Sequence, residues 1–158
     1  MRWAGLREER PRWRFNAAYG VTDRLLVGLE FNPVVEELVP TLNYTFQFED
    51  ERRPMVNFGT SSDRIFSPEG TRSYFLTVGK RVHGTNLAPY VSVSWSEWED
   101  KFLYPFGINA SLAPAWDLMM QNDGVHTHWL LTYKQSNGNL SLMLVKGRYW
   151  GTSWGMKF

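Results

Sequence analysis

The chain of 158 residues contains no cysteine, so disulfide frameworks, thiolate metal sites and cysteine nucleophiles are excluded at the outset. An excess of one charge is missing too. Seventeen Lys and Arg stand against 16 Asp and Glu, a net charge of +1, which gives no electrostatic footprint for nucleic acid. No window approaches 18 uninterrupted apolar residues, which excludes a transmembrane helix. The opening MRWAGLREERPRWR carries five Arg and no apolar core, so it does not read as a secretory leader. Either the protein is not exported, or its leader was removed or lies upstream of Met1.

What the chain does have is rings. Phe, Trp and Tyr make up 16% of the residues, with eight Trp, against 43% hydrophobic residues in all. So many amphipathic rings need a boundary to sit at. No helical period is sustained anywhere, whereas period two recurs throughout. In GVTDRLLVGLEFNP, Leu25, Val27, Leu29 and Phe31 fall on one parity and Leu26, Gly28, Glu30 and Asn32 on the other. The same reading predicts strands over 13–19, 25–32, 39–49, 55–60, 71–82, 89–97, 106–112, 116–121, 125–134, 140–146 and 149–158. Apolar rows such as Leu42, Tyr44, Phe46, Phe48 or Val91, Val93, Trp95 lie opposite rows of small polar residues such as Ser92, Ser94, Ser96.

Connections alternate between turn-rich segments (VTDR, DERRP, HGTNLA, LAPA, QSNGN) and generally looser ones, as in a meander with its tight turns at one end. Ten or more such strands curl toward closure, because a long open sheet leaves reactive edges. The expected fold is therefore all-β: one domain spanning 1–158, an antiparallel up-and-down β-barrel of about 12 strands, with 10 as the alternative. Residues 1–12 are either a basic N-terminal segment or a short first strand. Eleven readable strands are an odd number for a bacterial barrel, so either Met1 to Glu9 holds a twelfth or the chain is the C-terminal part of a larger barrel.

Period two alone does not say whether the apolar face meets a core or lipid. The polar rows mix Glu30, Glu49, Asp117, His126, His128 and Lys134 with small residues, which suits a wet interior. Rings sit toward strand ends (Trp13, Tyr19, Phe31, Tyr104, Phe106, Trp116, Trp150, Phe158), where they settle at membrane boundaries. Lipid is the expected partner of the apolar face, which makes the barrel transmembrane.

The closing YWGTSWGMKF, with the row Trp150, Thr152, Trp154, Met156, Phe158, resembles the final strand of bacterial outer-membrane β-barrels. That resemblance implies an assembly signal at Trp150, Trp154, Met156 and Phe158, read by the outer-membrane insertion machinery, and a place in the bacterial outer membrane. YGVTDRLLVGLEF is similar to the tight-turn hairpins of that superfamily. WDLMMQNDGVHTHWLLTYKQSNGNLSLMLVKG is similar to a hairpin series in the YjbH-like barrel proteins of exopolysaccharide operons.

Parity places Glu30, Asn43, Thr45, Gln47, Ser92, Ser94, Asn109, Asp117, Gln121, His126, His128 and Thr132 on one lumen-lining face. Leu130, Met119, Met143 and Val145 share it as an apolar patch, either filling for a narrow barrel or a contact for a lipid-like solute. VHTHW points His126 and His128 the same way. With Asp117 they offer a divalent-metal site or a base and its orienter, against the plainer reading of polar lumen side chains. No serine motif marks a hydrolase, and no cofactor or metal is expected. The expected role is non-enzymatic: a narrow outer-membrane channel or conduit for polar solutes or polysaccharide. The alternatives are a non-conducting scaffold barrel that anchors other envelope proteins, and an outer-membrane lipid hydrolase.

Overall fold

Turn-forming residues cut this chain into extended segments short enough to pair with their sequence neighbours, and the pairing follows chain order. The computed structural model describes residues 1–4, 13–63 and 67–157. Its strands are β1 (Arg2–Ala4), β2 (Trp13–Gly20), β3 (Leu25–Asn32), β4 (Glu37–Gln47), β5 (Met55–Ser62), β6 (Arg72–Gly79), β7 (Leu87–Ser96), β8 (Lys101–Leu103), β9 (Phe106–Ala113), β10 (Trp116–Asn122), β11 (Thr127–Gln135), β12 (Gly138–Val145) and β13 (Tyr149–Met156). β8 and β9 follow one another along β7, with Ser94 opposite Leu103 and Val91 opposite Phe106. They are one strand interrupted at Tyr104 and Pro105. Counted that way the fold has twelve antiparallel, up-and-down strands, all-β.

Residues 98–105, which fall between the strands expected over 89–97 and 106–112, therefore contribute β8. Pro105 explains the break: it has no N–H for the ladder, yet its carbonyl still accepts from the Ser92 amide at 2.7 Å. The twelfth strand, β1, falls within Met1 to Glu9, one of the two answers the odd count left open. β1 pairs with both β2 and β13, Trp3 opposite Trp13 and Thr152. β6 also pairs with β7, so each of the twelve strands has a hydrogen-bonded neighbour on both sides.

Chemistry at the turns fits the residues that sequence offered there. Thr22 Oγ1 accepts from the Arg24 and Leu25 amides, and Asp50 Oδ1 from those of Arg52 and Arg53. Lys146 and Gly147 both adopt positive φ, 54° and 64°, which matches a tight hairpin to the strand twist. The division into tight and loose ends is partial. The connections at 48–54 and 80–86 sit at the same end as the short turn at 114–115.

Burial inverts the arrangement of a protein folded around an oily core. Among the described residues the buried hydrophobic side chains are Val39, Leu103, Met143 and Val145, while eleven polar or charged ones are buried, seven of them Ser. The apolar rows, including Leu76, Val93, Leu142 and Trp154, are the exposed ones. Water does not reward that arrangement, because each exposed side chain of this size forgoes roughly 1.5–3 kcal/mol of burial.

Candidate functional site

Cross-strand register decides which polar residues meet. Asp117, Thr132, Ser141 and Ser153 sit side by side across β10 to β13, and Met119, Leu130 and Met143 form the next row on that face. On the other half, Thr45 faces Asn57 and Thr77 faces Ser92. The polar face grades steadily along the strands. Near the end that carries the chain termini, Ser111 and Asn139 are exposed. Toward the opposite end exposure falls from Ser92 at 8% through Ser94 at 5% to Ser96 at 0%, and from Ser141 at 5% through Met143 to Val145 at 2%.

At that covered end lies a cavity of about 320 Å³, lined by residues of β2, β5, β6, β7, β8, β10, β11 and β12. One side carries hydroxyls: Ser73 and Ser94 bond at 2.6 Å, Thr77 and Ser92 at 2.7 Å. Another is apolar, made by Leu130, Met143 and Val145. Phe75 and Tyr90 also line it, each ring lying over a glycine. A β-carbon at Gly59 would collide with the Phe75 ring, and one at Gly107 would come within 2.7 Å of the Tyr90 ring.

Charged groups close the covered end in three small networks. Arg14 Nε pairs with Glu30 Oε1 at 3.2 Å, and Arg14 also donates to Ser62 Oγ at 2.9 Å. Ser62 Oγ in turn donates to Glu30 Oε1. Asp63 accepts from Ser96 Oγ at 2.6 Å and from the Trp98 amide at 3.3 Å. Asp123 accepts from His128 Nε2 at 3.1 Å and, through its other oxygen, from the Val125 and His126 amides. Burial works to raise the Asp123 carboxyl, but the His128 and backbone hydrogen bonds outweigh it and hold the group below its ordinary value.

Glu30, Ser92, Ser94 and His128 are buried, and Asn43, Thr45, Asn109, Asp117, Gln121 and Thr132 are partly covered. Gln47 stands apart: the ladder shifts after Thr45, so Gln47 pairs with Val56, and its amide donates to the Pro54 carbonyl. A β-bulge of one residue is enough to take a side chain out of a parity row. His126 lies in the turn before β11 rather than on the strand. The imidazole and carboxylate grouped in the sequence do not meet. Asp117 accepts from Ser111 at 2.9 Å and from Lys134 at 3.0 Å, while the partner of His128 is Asp123. His128 Nδ1 faces the Lys146 amide at 3.4 Å, so both ring nitrogens are engaged, which gives a general base no lone pair to use. Among the described residues no His, Asp and Glu group has metal-binding geometry.

The lumen-lining set predicted by parity leaves out Arg14, Ser62, Asp63, Ser96 and Asp123. Parity could have found two of them. Ser96 continues the Ser92, Ser94 row, and Arg14 shares the face of Asn16, which the β2–β3 register sets opposite Glu30. Trp150, Trp154 and Met156 lie on β13 and point to the exposed side, whereas Phe158 lies outside the described residues. Comparison with known proteins finds no matching family model, no matching curated protein and no matching solved structure.

Proposed function

We propose that the twelve strands close into a membrane-spanning β-barrel of the bacterial outer membrane. In this reading the barrel is a narrow conduit for polar solutes, saccharides included, that is shut at its loop end in this conformation. The observation that carries the reading is the inverted burial: large apolar residues outside, Ser, Asn, Glu and His inside. Only lipid makes that arrangement favourable. Exposed rings support it by falling in two bands, Tyr19, Phe46, Trp116 and Trp154 toward the termini and Phe31, Phe102, Tyr104 and Trp150 toward the other end. Between them lie Leu76, Val93 and Leu142. β4, β7 and β11 have 11, 10 and 9 residues, matching the roughly 9–11 that a tilted strand needs to cross the hydrocarbon. The unbroken circuit of pairings leaves no edge to be satisfied in lipid.

The polar networks around Arg14, Asp63 and Asp123 are the shutter in this reading. Planar-bilayer recording tests it with the wild type and with Arg14→Ala/Glu30→Ala, which removes both charges together and leaves neither alone. The conduit predicts a larger steady conductance in the double variant. If both proteins insert and both stay silent, the second reading stands: a non-conducting barrel that anchors other envelope proteins, which the covered end favours.

A further inference from the structure

We propose that the 320 Å³ cavity is a binding site for one neutral pyranose ring, either a free sugar or the end unit of a saccharide chain. This rests on the reading of the polar face as an interior. The hydroxyl wall sets the ligand's polarity. In each of the pairs Ser73 with Ser94 and Thr77 with Ser92, one hydrogen is used, so one hydroxyl hydrogen and spare lone pairs remain. Donors and acceptors therefore alternate along that wall. Phosphates and carboxylates only accept and ammonium groups only donate, whereas neighbouring sugar hydroxyls do both.

Charge points the same way. Arg14 is paired with Glu30, and the Asp63 and Asp123 carboxylates accept hydrogen bonds from Ser96 and His128, so an anionic ligand would meet carboxylates on this lining while the Arg14 charge is already spent on Glu30. The remaining walls fit the other property of a sugar, its C–H faces. Phe75 and Tyr90 rest against the chain over Gly59 and Gly107, each ring keeping a side on the cavity, and Leu130, Met143 and Val145 complete an apolar surface. The lining combines hydroxyl and charged groups with these apolar walls, and the volume sits at the low end of the roughly 300–1,000 Å³ that small-molecule sites occupy. That is room for one ring. The graded exposure of the polar face makes the end that carries the termini the way in.

D-Glucose and D-galactose are the probes, titrated into the full chain in micelles of a detergent without a sugar headgroup and read by saturation-transfer NMR. At least one should bind saturably in the millimolar range, with D-glucuronate at least tenfold weaker. Tyr90→Leu, Phe75→Leu and Ser94→Ala should each weaken binding at least fivefold, and Leu142→Ala on the exposed face should not. A hexasaccharide that binds tenfold tighter than the monosaccharide assigns the site to a chain end, and equal affinity assigns it to a free sugar. No saturable binding of either hexose by the wild type overturns the proposal, as does binding that survives all three cavity variants. Micelle binding needs no current. A silent barrel that binds glucose refutes the conduit alone, and a conducting one that binds no hexose refutes the site alone.

Discussion

His128 bridges two turns: its Nε2 meets Asp123 Oδ2 at 3.1 Å and its Nδ1 accepts from the Lys146 amide at 3.4 Å. Because Nδ1 faces an N–H, the ring proton sits on Nε2 and is donated to the carboxylate. The β10–β11 turn is thereby tied to the β12–β13 turn through one imidazole.

Acid should release that tie. The Asp123 carboxyl titrates below its ordinary value in the folded chain, so its contribution is complete above the unfolded value of roughly 3.9 and is lost as pH falls through the lower folded value. Amide-exchange protection at Val125 and His126, whose N–H groups bond Asp123 Oδ1, should hold down to about pH 4 and then decline. Asp123→Asn should show reduced protection already at neutral pH. Equal protection in both proteins across that range would show that the turn does not depend on the carboxylate.

Charge placed on β12 should sort by face. Leu142 is on the exposed apolar row and Asn139 on the polar row at its open end. Leu142→Arg should cost roughly 2–4 kcal/mol if it lies near the bilayer midplane, and Asn139→Arg little. Refolding yields into lipid vesicles measure the difference. Similar yields would mean that the apolar row does not face lipid.

The fold was legible because period two dominates between the local irregularities: all eleven strands read from parity are present, and the twelfth, Arg2–Ala4, falls within Met1 to Glu9, one of the two answers the odd count left open. What parity does not carry is a shift of register or a contact across the fold. A one-residue bulge at Phe46 displaced Gln47 from its row, and a proline without an N–H split the strand that became β8 and β9. His128 is buried, and parity pairs it with a carboxylate on the neighbouring strand. Asp123 is instead held in a turn by two backbone amides, a position that reads as ordinary turn chemistry. Arg14 meets Ser62 across 48 residues of sequence, and no local pattern encodes that.

Two glycines under rings should respond differently to a methyl group. At Gly59 the nearest obstacles are side chains, Phe75 and Asn43 Oδ1, so Phe75→Ala should largely rescue Gly59→Ala. At Gly107 the β-carbon also meets the Met120 carbonyl at 2.5 Å, and backbone in a ladder cannot move aside. Gly107→Ala should cost about 1–3 kcal/mol, with Tyr90→Ala returning only part. Urea midpoints in detergent give both double-mutant cycles. Full rescue at Gly107 would show that the ring alone required the glycine.

The Arg14 and Glu30 pair should be costly to halve and cheap to remove whole. Their side chains are 18% and 7% exposed, so truncating one partner strands a largely desolvated charge, whereas taking both away spares the desolvation of each. Glu30→Ala should lower stability by roughly 3–5 kcal/mol, because the guanidinium loses its carboxylate and Ser62 loses the acceptor of its hydroxyl hydrogen. Glu30→Gln should cost less, since an amide oxygen still accepts from both. Arg14→Met with Glu30→Leu should cost less than Glu30→Ala alone, since similar volume is kept and no charge is left behind. Unfolding by urea in micelles, followed by Trp fluorescence, ranks the three. A double variant less stable than Glu30→Ala would mean that packing, not charge compensation, is what the pair supplies at the covered end.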